Sequence, residues 1–216
     1  MYRRGGLRRL KMEIGILGAS TVGMTLGSKL ARSGHRVAIA NSRGPESLAE
    51  SLAGIEGPLV AASKADLLAS SEIVFLAVPW VKVREVITSD IDWNGRILVD
   101  ATNIFTSYAP EFRVDDLRGD SGSEIVARLA PSARVVKAFN TVPFAVMFAP
   151  HLQTQKRVLF VATDDQSAAA TVAGLITELG LHPIVLGPLA SAGRQMELGG
   201  VFSGVELLTP SEEAAQ

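Results

Sequence analysis

The sequence contains no cysteine, which excludes disulfide bonds, thiolate catalysis and cysteine metal sites. It has no run approaching the roughly 18 apolar residues that a membrane-spanning helix needs. The formal net charge is -1, so the chain lacks the basic excess that binds nucleic acid. We therefore expect a cytoplasmic protein that binds a small molecule. We expect no metal site and no binding to a membrane or to nucleic acid.

The only concentrated charge lies in residues 1–11, which are basic but lack the apolar stretch of a secretory signal. We expect residues 1–11 to form a disordered basic leader. The regular pattern begins at Met12.

From Met12 onward, short β-branched apolar runs alternate with amphipathic segments, a pattern typical of repeated βα units. The predicted strands cover 12–17, 36–40, 58–62, 72–77, 96–100, 133–137, 157–162 and 183–186. The predicted helices cover 21–33, 45–53, 64–70, 80–87, 122–130, 166–179 and 190–198. Residues 103–120 are irregular and are predicted to form a long loop over the strand ends. This order predicts a Rossmann-type, doubly wound α/β fold with a mostly parallel sheet and a small C-terminal α/β extension.

A glycine-rich turn follows the first strand, in the segment Gly18-Ala19-Ser20-Thr21-Val22-Gly23. In a dinucleotide-binding turn the first glycine permits the tight turn and the last allows the helix to pack closely on the strand. Gly18 and Gly23 occupy these positions, while the middle position holds Ser20, whose hydroxyl can donate to a phosphate. The helix that starts here presents its N-terminus to an anion.

The end of the second strand indicates which dinucleotide binds. NAD-binding proteins carry an acidic residue there, about 20 positions after the glycine turn, for the ribose 2'-hydroxyl. This sequence has Asn41-Ser42-Arg43 instead, with a guanidinium that suits a 2'-phosphate. We therefore predict that the chain binds NADP(H) in preference to NAD(H).

The two nucleotide motifs and three further strand-end segments, taken in order, resemble the F420-dependent NADP oxidoreductase family over about residues 12 to 198. The three further segments are Ala77-Val78-Pro79-Trp80, Asp100-Ala101-Thr102-Asn103 and Lys137-Ala138-Phe139-Asn140-Thr141-Val142. The resemblance implies hydride transfer between NADPH and the deazaflavin coenzyme F420. It also implies a homodimer and a cleft between an NADP-binding Rossmann domain, 12–142, and a small C-terminal portion, 143–216.

The resemblance assigns roles to the strand-end residues. Cofactor contacts are expected from Gly18, Ala19, Ser20, Thr21, Val22, Gly23, Asn41, Ser42, Arg43, Ala77, Val78, Pro79, Ala101, Thr102 and Asn103. The acceptor ring is expected to face Trp80, Ala138, Phe139, Asn140 and Thr141. The sequence departs from the family where Gly199-Gly200 and Gly204 interrupt the C-terminal helix.

Groups that could donate a proton near the hydride are scarce. Lys137 is the one lysine at the end of a predicted strand on the expected edge, and it is either a general acid or an ammonium bonded to Asp100 and nearby carbonyls. This scarcity suits a flavin-like ring, which holds the electrons it receives. The alternatives are an NADPH-dependent reductase of an imine, carbonyl or hydroxy acid, a reductase of flavin or ferric iron, and a non-catalytic NADP sensor.

Overall fold

The computed structural model describes residues 11–150 and 154–210. The leader predicted for residues 1–11 lies outside the described residues, apart from Lys11. Within the described ranges, none of the helices has the length and apolar character needed to cross a membrane.

The described residues form ten strands. They are β1 (Glu13–Leu17), β2 (Arg36–Ala40), β3 (Leu59–Ala61), β4 (Ile73–Leu76), β5 (Ile97–Asp100), β6 (Phe105–Ser107), β7 (Arg113–Val114), β8 (Arg134–Ala138), β9 (Val158–Ala162) and β10 (His182–Gly187). Eight of them form one sheet in the order β10-β9-β8-β5-β4-β1-β2-β3. All neighbours in this sheet are parallel except β8 and β9. The predicted α/β fold is confirmed, and each predicted strand is present with its ends shifted by at most one residue.

Helices cover both faces of the sheet. They are α1 (Thr21–Arg32), α2 (Ala49–Leu52), α3 (Lys64–Ser70), α4 (Val83–Val86), α5 (Gly122–Leu129), α6 (Phe144–Met147), α7 (Gln166–Glu178) and α8 (Arg194–Met196). Apolar residues of α1, α6 and α7 pack on one face, and those of α3, α4, α5 and α8 pack on the other. Alternate strand residues serve the two faces, as in β4, where Ile73 and Phe75 belong to one core and Val74 and Leu76 to the other.

Four predicted segments differ from the structure. The predicted loop 103–120 contains the antiparallel hairpin of β6 and β7, whose short strands give little sequence signal. The predicted helices 45–53 and 80–87 each begin as a 3-10 turn, at Pro45–Leu48 and Trp80–Lys82.

The predicted helix 190–198 is also wrong in part. It consists of a π-helical turn, Leu189–Gly193, followed by the short α8, and Glu197 is already extended. The chain then turns back closely on itself, and Gly200 permits this turn because a Cβ atom there would collide with the carbonyl oxygen of Gln195.

The strand order determines which edge of the sheet is expected to bind a ligand. Because β1, β2, β4, β5 and β8 run parallel, their carboxyl ends meet at one edge of the sheet, where open α/β folds bind ligands. Strands β9 and β10, which lie within the predicted C-terminal portion 143–216, extend the same sheet beyond β8.

Candidate functional site

The glycine turn after β1 packs tightly against two neighbouring strands. The amide of Gly18 donates to the carbonyl of Ala40 at the end of β2, at 2.9 Å. Gly18 has a φ of 111°, and a Cβ atom there would collide with the carbonyl oxygen of Ala77, which follows β4. A Cβ atom on Gly23 would likewise collide with the carbonyl oxygen of Gly18. Both glycines are therefore required for the chain to turn this closely over the strand ends.

The N-terminus of α1 is open to an anion. Ser20 is its N-cap, and the side chain of Ser20 makes no capping hydrogen bond and is exposed. The first turn carries no acidic residue, and α1 is 12 residues long. Free backbone N–H groups at such a helix start attract phosphate.

The segment after β2 forms a compact polar turn. Asn41 Oδ1 accepts from the backbone N–H of Arg43 at 2.9 Å, and Asn41 Nδ2 donates to Ser47 Oγ at 2.9 Å. Ser42 and Arg43 are exposed, and the Arg43 guanidinium has no hydrogen bond or ion pair with the described part of the chain. The turn thus holds its backbone in place while leaving a cation available.

A cleft of about 570 Å³ joins the two nucleotide motifs. Of the predicted cofactor residues, its lining includes Gly18, Ser20, Asn41, Ser42, Ala77, Val78 and Pro79. Ala19 and Val22 pack against the core, Gly23 is buried, Thr21 is exposed on α1, and Arg43 adjoins the lining residue Ser42. The cleft combines an apolar wall with polar groups at its mouth, which suits an adenosine unit with its phosphates.

The cleft also contains residues that the sequence analysis missed, namely Leu17, Ala40, Lys64, Lys82, Glu85 and Val86. Lys64 begins α3, and its Nζ donates to the carbonyl of Val86 at 3.2 Å. A lysine at a helix start is common, so the sequence alone gives no specific signal for its place in the cleft. Lys82 Nζ pairs with Glu85 at 2.9 Å on an exposed turn.

The strand ends of β5 and β8 meet through two asparagines. Asn103 Nδ2 donates to the Asn140 carbonyl at 3.1 Å, and Asn140 Nδ2 donates to Asn103 Oδ1 at 3.2 Å. The neighbouring predicted cofactor residues Ala101 and Thr102 are buried, while Asn103 is half-buried. The structure therefore brings together two segments that are far apart in the sequence.

The residues predicted to face the acceptor ring form a covered wall. Trp80, Ala138, Phe139, Asn140 and Thr141 are all buried, and none lines the cleft described above. The Trp80 indole donates to Asp115 at 2.7 Å, and the Phe139 ring lies edge-on to Phe75 with centroids 5.6 Å apart.

Lys137 lies beneath this wall in a buried ion pair. Its Nζ donates to Asp100 Oδ2 at 3.0 Å and to the carbonyl of Thr102 at 2.7 Å, and both charged side chains are fully buried. Asp100 also accepts from Ser123 Oγ at 2.6 Å and from Thr102 Oγ1 at 2.6 Å. Burial would raise the pKa of Asp100, but the ammonium and these hydrogen bonds together lower it. These contacts match the structural alternative for Lys137.

The two histidines that the structure describes lie away from this site. His35 is buried at the opposite end of the sheet, where its Nε2 lies 2.9 Å from Glu178 Oε2. His182 is exposed at the start of β10. Among the described residues, no group of His, Asp and Glu side chains could hold a metal ion.

The known proteins that are similar to this chain include NADP oxidoreductases. Residues 13–104 match the family described as NADP oxidoreductase coenzyme F420-dependent. A solved structure of a hypothetical protein from Sinorhizobium meliloti is 37% identical, with 93% of this chain and 97% of that chain covered and a TM-score of 0.83. A protein from Arthrobacter sp. FB24, named as a candidate F420-dependent NADP reductase, is 29% identical, with 86% and 89% covered and a TM-score of 0.69.

A curated relative, metalloreductase STEAP3 from Rattus norvegicus, is 29% identical over 86% of this chain and 36% of its own length. The chain thus spans about a third of the length of the curated relatives that it matches.

The fold and the nucleotide cleft, together with these matches, define an NADP-dependent oxidoreductase of the Rossmann type. Within that class, residues 13–104 match the F420-dependent NADP oxidoreductase family, and this match supports the resemblance over that part of the chain.

Replacing Lys137 by Met should destabilise the protein, because the change leaves the Asp100 carboxylate buried without its counter-charge. We expect a loss of about 3–5 kcal/mol in the free energy of unfolding, measured by urea denaturation. Adding Asp100→Asn to Lys137→Met should recover part of this loss. A loss below about 1 kcal/mol for the single variant would contradict a structural ion pair.

Proposed function

We propose that this protein transfers a hydride between NADPH and a flavin-like acceptor ring, with coenzyme F420 as the first choice. The observation that carries the proposal is the single cleft that joins the α1 N-terminus to the Asn41-Ser42 turn. No carboxylate lines the cleft at the end of β2, where an NAD-binding protein would hold the ribose hydroxyl.

In the proposed complex, each part of the cleft binds a different part of NADPH. The backbone N–H groups of residues 18–23 would hold the pyrophosphate. Asn41, Ser42 and the free guanidinium of Arg43 would hold the 2'-phosphate, and Lys64 would add a second cation at the cleft wall. Ala77, Val78 and Pro79 supply an apolar wall on the ribose side.

The acceptor half of the proposal rests on the chemistry available near Asn103 and Asn140. Bound NADPH supplies a hydride, and this end of the site offers amide and hydroxyl groups, while the Lys137 ammonium is occupied by Asp100 and Thr102 and the Glu197 carboxylate is occupied by the backbone N–H of Gly122. A carbonyl reductase needs a positioned proton donor. A flavin-like ring needs proximity and exclusion of water, because it accommodates the electrons within its own π-system.

The family description and the name of the Arthrobacter protein support F420 in particular. The similarity to a metalloreductase keeps flavin and ferric iron as second candidates. We also propose a homodimer, by analogy with the family.

Arg43→Ala should weaken NADPH binding about 10- to 150-fold, because a hydrogen bond to a charged group contributes roughly 1.5–3 kcal/mol. NADH binding should be unchanged, since NADH carries no 2'-phosphate. Both dissociation constants can be measured by titration calorimetry. Arg84→Ala, which removes an exposed arginine outside the cleft lining, is the matched control and should change neither value. Equal losses for NADPH and NADH in Arg43→Ala would contradict the 2'-phosphate assignment.

The acceptor is tested by mixing the protein anaerobically with NADPH and, separately, with F420, FMN or FAD. We expect rapid loss of the visible absorbance of F420. Bleaching of a flavin alone would make the protein an NADPH:flavin reductase. If NADPH binds tightly and no ring is reduced, the proposed acceptor class is wrong.

A further inference from the structure

The segment that follows β10 lies across the strand ends. We call residues 188–204 the C-terminal strap. It comprises the π-helical turn, α8, and a run of bends and turns that contains the glycines 199, 200 and 204. Leu189, Ala192 and Met196 anchor its first half in the core. Its second half is more exposed and carries only one aromatic contact to the sheet, between Phe202 and Phe160 with ring centroids 4.3 Å apart.

The strap covers the residues proposed to face the acceptor. Asn140 Nδ2 donates to the Met196 carbonyl at 2.8 Å. The Gly204 amide donates to the Thr141 carbonyl at 2.7 Å. The position of the strap therefore fixes the wall that an acceptor ring would meet.

A third contact fastens the strap to the body of the protein. The Glu197 carboxylate accepts a hydrogen bond from the backbone N–H of Gly122, the first residue of α5. Glu197 is only 4% exposed. Glu197 lies between Met196 and the glycine run. Its contact with Gly122 therefore helps to position the two hydrogen bonds that join the strap to Asn140 and Thr141.

The charged groups around Glu197 come from three elements. Lys137 on β8 and Arg194 on the strap favour the carboxylate, while Asp100 on β5 opposes it. Burial has the largest effect and raises the pKa of Glu197, although Lys137 and the hydrogen bond from Gly122 partly offset it. The α5 residue Glu124 is engaged with the backbone N–H of Ser121 at 2.7 Å.

We propose that Glu197 is a positioning residue, whose hydrogen bond to the start of α5 docks the C-terminal strap and so sets the acceptor-side wall. The docking rests on contacts within the chain. Its effect on the acceptor rests on the proposed function.

The docking should depend on pH with a definite sign. The docked state binds the Glu197 proton more tightly than an undocked strap in water, because the pKa of the docked carboxyl is raised. Docking is therefore strongest below the ordinary carboxyl pKa and weakens as the pH rises through the raised value. The protonated acid still accepts from Gly122 through its carbonyl oxygen, so the strap stays docked at low pH.

The test measures hydrogen-exchange protection of peptides from the strap at several pH values, corrected for intrinsic exchange. Protection in the wild type should fall as pH rises. Glu197→Gln, a neutral group of the same shape, should keep high protection at every pH, and Glu197→Ala should show low protection at every pH. An unchanged pH dependence in Glu197→Gln would overturn the proposal.

Steady-state kinetics with F420 test the effect on the acceptor. Glu197→Ala should raise the KM for F420 about tenfold, as expected for loss of one buried hydrogen bond, and leave the NADPH dissociation constant unchanged. Glu197→Gln should keep the low KM and lose its pH dependence. Equal losses for F420 and NADPH in Glu197→Ala would overturn the positioning role. If no ring is reduced, the proposed function fails, while the exchange measurement still decides the docking.

An engineered disulfide bond between the strap and the start of α5 tests the docking in a second way and leaves Glu197 in place. A Cβ atom on Gly193 would lie 3.6 Å from Ser121 Cβ, within the range of about 3.5–4.5 Å found in disulfides. Because the chain has no cysteine, Ser121→Cys with Gly193→Cys can form only this bond within one chain. Oxidation should make strap protection independent of pH, and reduction should restore the wild-type dependence. A pH dependence that persists in the oxidised form would contradict docking through the strap.

Discussion

The buried ion pair between Asp100 and Lys137 is the interaction on which the functional edge depends. It joins strands β5 and β8, and Ser123 and Thr102 complete the hydrogen bonding of the carboxylate. A buried charge pair is tolerated only when its polar atoms are satisfied in this way. The network therefore fixes the relative positions of β5, β8 and α5, from which the acceptor-side wall and the strap contacts extend.

The sequence predicts the sheet and the two turns that line the cleft, for physical reasons that act locally. Buried parallel strands such as Ile73–Leu76 are short apolar runs, and such runs are recognisable in the sequence. Gly18 is required by its positive φ and by the close approach of Ala77, so a glycine at this spacing carries real information. The polar turn after β2 is similarly local, because Asn41 bonds within its own turn.

The acceptor half is harder to predict because its contacts join distant parts of the chain. Asn140 meets Met196 across 56 positions, and Gly122 meets Glu197 across 75. The apolar spacing of 190–198 indicates a helix, but close packing of Gly193 on Ser121 and of Gly200 on Gln195 reshapes it into a turn and a strap. Lys64 was missed for the opposite reason, since a lysine at a helix start is common and only the shared cleft gives it a role.

In the proposed reaction, the protein holds the two rings at reacting distance and supplies no proton to the reacting carbon. The most direct measurement is a single anaerobic turnover of F420 with NADPH deuterated at the transferred position of C4, and the reciprocal experiment in D₂O with unlabelled NADPH. F420 suits this test because the deazaflavin accepts hydride at a carbon, where the label does not exchange. We expect deuterium at that carbon from labelled NADPH and none from D₂O. Label arriving from solvent would contradict direct transfer and would require a protein acid at the site.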